Sequence, residues 1–138
     1  ASNLELDALL QYYAYEAERA GVRFTSRIET PVDHFAKSVD LTVVLGNLLE
    51  NAVQAAGCCA VERYADLRIG KVPGVCMIQV RNSYDGLIDE RNGRFFSTKH
   101  NGMGMGLESV RLTAQRLHGE CSVKHDGHVF TVRVSLPM

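Results

Sequence analysis

Leu6, Leu9, Leu10, Tyr13 and Ala17 recur at helical spacing near the start of the chain, which predicts an amphipathic helix. Ser2 and Glu5 have capping-box spacing, and Gly21 marks the expected stop. Val22 to Glu29 then alternates, with Val22, Phe24 and Ile28 on one face and Arg23, Arg27 and Glu29 on the other. That reads as a half-buried strand ended by Pro31. Leu41, Val44, Leu45, Leu48, Leu49 and Ala52 mark the apolar stripe of a long helix, expected from about Val39 to Arg63. Gly57 is expected to weaken or bend its far end. Two strands follow, Asp66 to Lys71 and Val75 to Arg81, joined around Pro73-Gly74. The second is almost continuously apolar and so is expected at the centre of a sheet. Asn82 to Asn101 is polar and loop-like apart from Phe95-Phe96. Leu107, Val110, Ala114 and Leu117 define a further helix ending near Gly119. Strands Glu120–His125 and His128–Leu136 close the chain around Asp126-Gly127. In the last strand Phe130, Val132, Val134 and Leu136 are expected inward and Arg133 and Ser135 outward.

This order predicts an α/β (α+β) two-layer sandwich, a mixed, mostly antiparallel sheet of about five strands with helices on one face. No repeat or linker divides the 138 residues, and the length suits one domain. Hydrophobic content of 46% and charged content of 22% are those of an ordinary globular protein. A net charge of −1 supplies no global field for nucleic acid or an anionic membrane. Cys58, Cys59, Cys76 and Cys121 form no C-x-x-C pair, and a zinc site with His100, His118, His125 or His128 lacks ligand spacing. A reducing, cytoplasmic compartment is expected, with Cys58-Cys59 as small buried hydrophobes.

Two features point to chemistry. Gly102, Gly104 and Gly106 alternate with Met103 and Met105 and run into a helical pattern at Leu107, preceded by Lys99-His100. Glycine permits close approach to an oxyanion, and a helix start offers unpaired N–H groups, so the segment suits phosphate. Equally, a glycine-rich loop can simply turn a corner. Asn47, Asn51 and Gln54 share one face of the long helix, off its apolar stripe. That face is either solvated or an oxygen-rich ridge that supplies a carbonyl ligand to a hard cation such as Mg²⁺.

Leu45-Gly46-Asn47-Leu48-Leu49-Glu50-Asn51-Ala52 resembles the N box of the GHKL ATPases, the superfamily of gyrase, heat-shock 90 chaperones, MutL and histidine kinases. Phe95-Phe96-Ser97-Thr98-Lys99 resembles the F box of histidine kinases, and Asn101 to Leu107 their G2 box. Val80-Arg81-Asn82-Ser83-Tyr84, followed by a short lid segment, is similar to the kinases of accessory-gene-regulator-type quorum sensing. The resemblance is strong from Leu41 to Met138 and looser before. It implies the Bergerat fold and a catalytic ATP-binding domain over residues 1–138, with 1–20 as the tail of a linker from a dimerisation domain.

By that resemblance the cofactors are ATP and Mg²⁺. Asn51 ligates the metal, and Asn47 lies near the phosphates. Gln54 stands where many relatives carry a phosphate-touching Lys or Arg. Thr98, Lys99, Gly102, Met103, Gly104, Gly106 and Leu107 belong to the phosphate-side lid, and Phe96 holds it down. The D-x-G-x-G box is absent. Asn82 stands in its place, an uncharged acceptor for the adenine amino group, which implies reduced affinity. Asp85-Gly86 is a displaced remnant of that box or a turn. Asn47 also occupies the slot of the general base in hydrolysing relatives, and an amide cannot abstract a proton. Phosphotransfer is therefore expected over hydrolysis.

No histidine precedes the N box in a helical stretch, so the acceptor histidine is expected on a separate dimerisation domain. The further partner is a response regulator. The isolated domain is expected to be a monomer and its parent a homodimeric, membrane-anchored sensor. Two alternatives stand beside the kinase: a degenerate GHKL docking module, and a serine kinase resembling anti-sigma factors.

Overall fold

The computed structural model describes residues 4–29, 38–86, 88–91, 94–97 and 103–137. Helix α1 spans Leu4–Arg19. It ends as Gly21 predicts. Gly21 takes φ 71°, its N–H bonds Glu18, and the Val22 N–H reaches back to the Ala17 carbonyl at 2.8 Å. This pair of bonds is a Schellman motif, and buried Val22 and Ala17 meet across it. Ser2 lies outside the described residues.

Strand β1 (Arg23–Ile28) pairs in parallel with β2 (Tyr64–Val72), and β2 pairs antiparallel with β3 (Val75–Ser83). Pro73-Gly74 makes the turn between them, with Gly74 at φ 78°. Strands β6 (Glu120–Asp126) and β7 (Val129–Pro137) complete a five-stranded sheet of order β1-β2-β3-β7-β6. The apolar strand β3 is central, as expected. Phe130, Val132, Val134 and Leu136 are all buried, while Arg133 is exposed.

Helices α2 (Ser38–Gly57) and α3 (Met103–Arg116) complete the helical layer beside α1. Leu41, Val44, Leu45, Leu48, Leu49 and Ala52 of α2 are buried together with Val110 and Ala114 of α3 and the inward residues of β2, β3 and β7. Leu9, Leu10 and Tyr13 of α1 pack against this core from its edge. Arg116 near the end of α3 donates to Asp40 in the first turn of α2 at 2.6 Å, and each charge complements the helix terminus that carries it.

Five expectations need correction. The long helix ends at Gly57 and does not run on to Arg63. Residues 58–63 instead form a turn, in which Arg63 donates from Nε to the Cys59 carbonyl at 2.7 Å and from Nη1 to the Ala20 carbonyl at 3.0 Å. Strand β1 is an edge strand of which Phe24 alone is partly covered, and Ile28 is 38% exposed. The polar stretch after Asn82 contains a hairpin, β4 (Ile88–Arg91) and β5 (Arg94–Ser97), whose register brings Arg91 opposite Arg94. The sequence signal for it is Asn92-Gly93 between Ile88 and Phe95-Phe96, a hairpin dipeptide hidden by its polar surroundings. In the closing hairpin Asp126 pairs with Val129, so the two turn residues are Gly127 and His128, one position later than expected. Cys59 and Cys76 are buried, but Cys58 is only partly so.

Candidate functional site

Asn47 and Asn51 lie one turn apart on α2, on the side that meets α3. Asn51 is 8% exposed, which excludes a merely solvated face for it. The Asn47 Nδ2 donates back to the Val43 carbonyl at 2.9 Å, which leaves Oδ1 as the acceptor end of its amide. The first turn of α3 covers both amides. A Cβ added at Gly106 would lie 3.1 Å from Asn51 Nδ2, 3.2 Å from Asn51 Oδ1 and 3.3 Å from Asn47 Oδ1. Glycine at 106 is thus what lets the two helices close. Gln54, one turn further on, is half-buried.

Met103, Gly104, Gly106 and Leu107 all fall inside helix α3. This corrects the expectation of a glycine loop ahead of a helix at Leu107: the segment is itself the helix start. The first four N–H groups of a helix have no partner within it. No acidic residue occupies this first turn, so its positive end is not neutralised there. Leu107 is buried. Strand β5, which carries Phe96, packs against α3. Thr98, Lys99 and Gly102 lie outside the described residues.

Asn82 sits in the last turn of pleat of β3, paired with Ala65 on one side and Phe130 on the other. It is 3% exposed, and its Nδ2 donates to the Ser83 carbonyl at 2.9 Å. Ser83, which sequence reasoning passed over, is equally buried. Its hydroxyl accepts from the Tyr64 N–H at 3.0 Å and lies 3.4 Å from the Tyr64 carbonyl. A small hydroxyl residue where a strand gives way to a turn was the available signal. Tyr84 is buried edge-on to Phe130, ring centroids 5.7 Å apart, and its N–H bonds the His128 carbonyl at 3.0 Å. Burial, then the carboxylates of Asp126 and Asp85, push its phenol above the ordinary value. Gly86 takes φ 84°, a backbone turn, in keeping with the turn reading of Asp85-Gly86. A cavity of about 360 Å³ borders this end of the sheet, lined by residues that include Cys59, Tyr64, Ser83, Tyr84, Asp85 and His128. Asn47, Asn51 and Asn82 do not line it.

The structure therefore brings Asn47, Asn51 and the α3 start together, packs β5 on α3, and seats Asn82 at the end of the central strand. No helix among the described residues is long and apolar enough to cross a membrane.

The family profile described as GHKL domain matches residues 36–137. No curated protein matches the chain in sequence. Among solved structures, the nucleotide-free catalytic domain of histidine kinase ThkA superposes with a TM-score of 0.75 at 18% identity, covering 98% of this chain and 90% of that one. Histidine kinase AdeS of Acinetobacter baumannii gives 0.73 at 15% identity, with 98% of this chain covered and 64% of AdeS. Full-length ShkA in complex with AMPPNP gives 0.70 at 18% identity, with coverage of 99% and 30%. This chain thus spans less than two thirds of AdeS and under a third of ShkA, but nearly all of the ThkA catalytic domain. With its five-stranded mixed sheet and one-sided helical layer, the chain belongs to the GHKL family and has the Bergerat fold of histidine kinase catalytic domains.

Proposed function

We propose that this chain is the catalytic ATP-binding domain of a sensor histidine kinase, which binds Mg-ATP and presents the γ-phosphate to a histidine on a separate dimerisation domain. The observation that carries it is the pair Asn47 and Asn51, held against the amide-bearing first turn of α3 with Gly106 as the permitting residue. Amide oxygens are hard donors suited to Mg²⁺, which keeps most of its shell for water and phosphate and asks little of the protein. Asn51 would hold the metal, which when bound neutralises phosphate charge. Asn47 Oδ1, Lys99, Thr98 and the backbone at Gly102, Gly104 and Gly106 would line the phosphates. Met103 and Leu107 belong to the same lid edge, Phe96 holds it down, and Gln54 makes a weaker phosphate contact than a cation would. Asn82 accepts from the base. Catalysis is then chiefly positioning and charge neutralisation. With an amide at Asn47 and no carboxylate base, attack by water is slow, and transfer to histidine, then to a response regulator, is the favoured outcome. The similarity of Val80 to Tyr84 to the quorum-sensing kinases supports a parent of that branch, a membrane-anchored homodimer.

Calorimetric titration with Mg-ATP and Mg-ADP tests this. Wild-type chain is expected to bind either nucleotide, and Asn51→Ala to lose the Mg²⁺-dependent part of the affinity with an unchanged circular dichroism spectrum. No binding at millimolar nucleotide would leave a docking module. Acid-stable phosphate on a partner would indicate a serine kinase.

A further inference from the structure

We propose that the open face of the sheet, on the side away from the helices, docks this chain on a membrane surface of anionic phospholipid through Arg27, Arg68, Arg81, Arg133 and Lys124. This docking does not depend on nucleotide binding. Burial alternates along β2, β3 and β7, so every second side chain points to the face that the helices leave uncovered. The strand register puts one of the five cations on each strand. Arg27 of β1 lies beside Arg68 of β2. Arg81 of β3 is two residues from the position opposite Arg68, and Arg133 of β7 is two from the position opposite Arg81. Lys124 of β6 is in turn two from the position opposite Arg133. Diagonal neighbours of this kind are about 7–8 Å apart, so the cations form an unbroken line across the sheet. All five are exposed.

The two rows of the face that hold this line carry one carboxylate, Asp66, which accepts from the Thr25 hydroxyl. Five cations less one carboxylate give +4, on a chain whose total is −1, so the rest of the molecule sums to −5. The other charges of the face sit at its corners, Arg23 and Glu29 at the two ends of β1 and Glu120 and Asp126 at the two ends of β6. Glu29 meets Arg68 at 2.9 Å as an exposed pair, which is a weak contact. Like charges set beside one another across strands cost stability, and a polyanion offsets that cost. None of the exposed large hydrophobic residues lies in the two rows. A protein partner is held chiefly by anchors buried in desolvated pockets, and these rows offer no apolar anchor. A groove of duplex DNA admits a helix or a two-stranded ribbon, whereas this face is five strands and about 20 Å across. A lipid surface asks for neither anchor nor ridge, and each Lys or Arg brought near it raises partition about fivefold. Docked in this way, the sheet turns Asn47, Asn51 and the start of α3 away from the lipid, because all of them belong to the helical layer.

Flotation of the whole chain with vesicles of phosphatidylcholine, alone or with about a third phosphatidylglycerol, tests the proposal. Wild type is expected to partition about a hundredfold more strongly onto the anionic vesicles at low salt. It should come off at about 1 M salt, where the screening length falls to about 3 Å. Arg133→Glu, whose neighbours in register are the uncharged Gln79 and Ser122, is expected to lower the partition by about ten- to thirtyfold. Lys124→Glu on the edge strand should do the same. Arg19→Glu makes an equal change of total charge on α1, away from the face, and is expected to lower it by less than about twofold. Equal partition of wild type onto neutral and anionic vesicles overturns the proposal. So does an equal loss in Arg133→Glu and Arg19→Glu, since total charge would then be what the lipid reads. Retention on heparin or duplex DNA without binding to anionic vesicles overturns it too and gives the face to a different polyanion. The wild-type comparison needs no variant, so the test stands even where Arg133→Glu does not fold.

Discussion

Gly106→Ala separates folding from ligand chemistry at one atom. Gly106 lies in the first turn of α3 with no positive φ, so alanine suits its backbone. Helix propensity alone would favour the substitution by about 1 kcal/mol. The added methyl, however, arrives 3.1–3.3 Å from the amide atoms of Asn51 and Asn47, closer than ordinary van der Waals contact by several tenths of an ångström. Neither amide can yield freely. Asn51 is buried, and Asn47 is tied to the Val43 carbonyl. The expected compromise is a small separation of α3 from α2, with the two energies nearly cancelling, so that stability changes by less than about 1 kcal/mol. A Mg²⁺ ligand tolerates only about 0.2 Å of displacement. Mg²⁺-dependent nucleotide affinity should therefore fall by about ten- to a hundredfold, as when groups that orient a metal ligand are disturbed. Thermal melting measures the first quantity, and calorimetry with Mg-ADP against ADP in chelator measures the second. A variant that melts as wild type and binds Mg-ADP undiminished would refute the role given to this contact.

His118 ends α3 in the left-handed region at φ 64°, so His118→Gly should stabilise the chain by about 1 kcal/mol, read as a raised denaturation midpoint. Gly119→Ala should do the reverse, because its Cβ would run into the Ser135 carbonyl oxygen and reach within 3.0 Å of Leu136 Cδ2. A loss of about 3 kcal/mol by urea unfolding is expected. Burial pushes the Cys76 thiol up to about 12 and that of Cys121 to about 11. The unfolded chain then releases these protons first as pH rises, so stability should decline from about pH 9 toward pH 12. Cys76→Val should flatten part of that decline in urea midpoints measured across the range.

Element identity was legible wherever the period was long and uninterrupted. The stripe from Leu41 to Ala52 and the alternation from Phe130 to Leu136 specify which face is buried, because those periods match the helix and strand repeats. Ends were less legible, since they are settled by contacts from elsewhere. Gly57 ends α2 beside Ala20 of the preceding turn, and Arg63 caps carbonyls on two segments. The β4–β5 hairpin escaped notice because a two-stranded ribbon needs no alternating apolar face. For the site, the shared face of Asn47 and Asn51 followed from spacing alone. That glycine 106 lies against it did not, because distance across two helices is a tertiary fact. The Ser83 hydroxyl was invisible for the same reason: its partner is nineteen residues earlier in the chain.

Arg63 makes α1 and α2 a single mechanical part. One guanidinium grips the Cys59 carbonyl just past α2 and the Ala20 carbonyl just past α1, and Ala20 also lies against Gly57. Sliding α1 along its axis without α2 would break the Ala20 grip and the Ala20–Gly57 contact together, leaving the Cys59 grip in place. Gly57 is only about 9 Å along the helix from Asn51. The first helix is thus joined to the helix that carries the asparagine pair at its far end as well as along its packed face, and the exposed guanidinium is the part of that link a single substitution would remove.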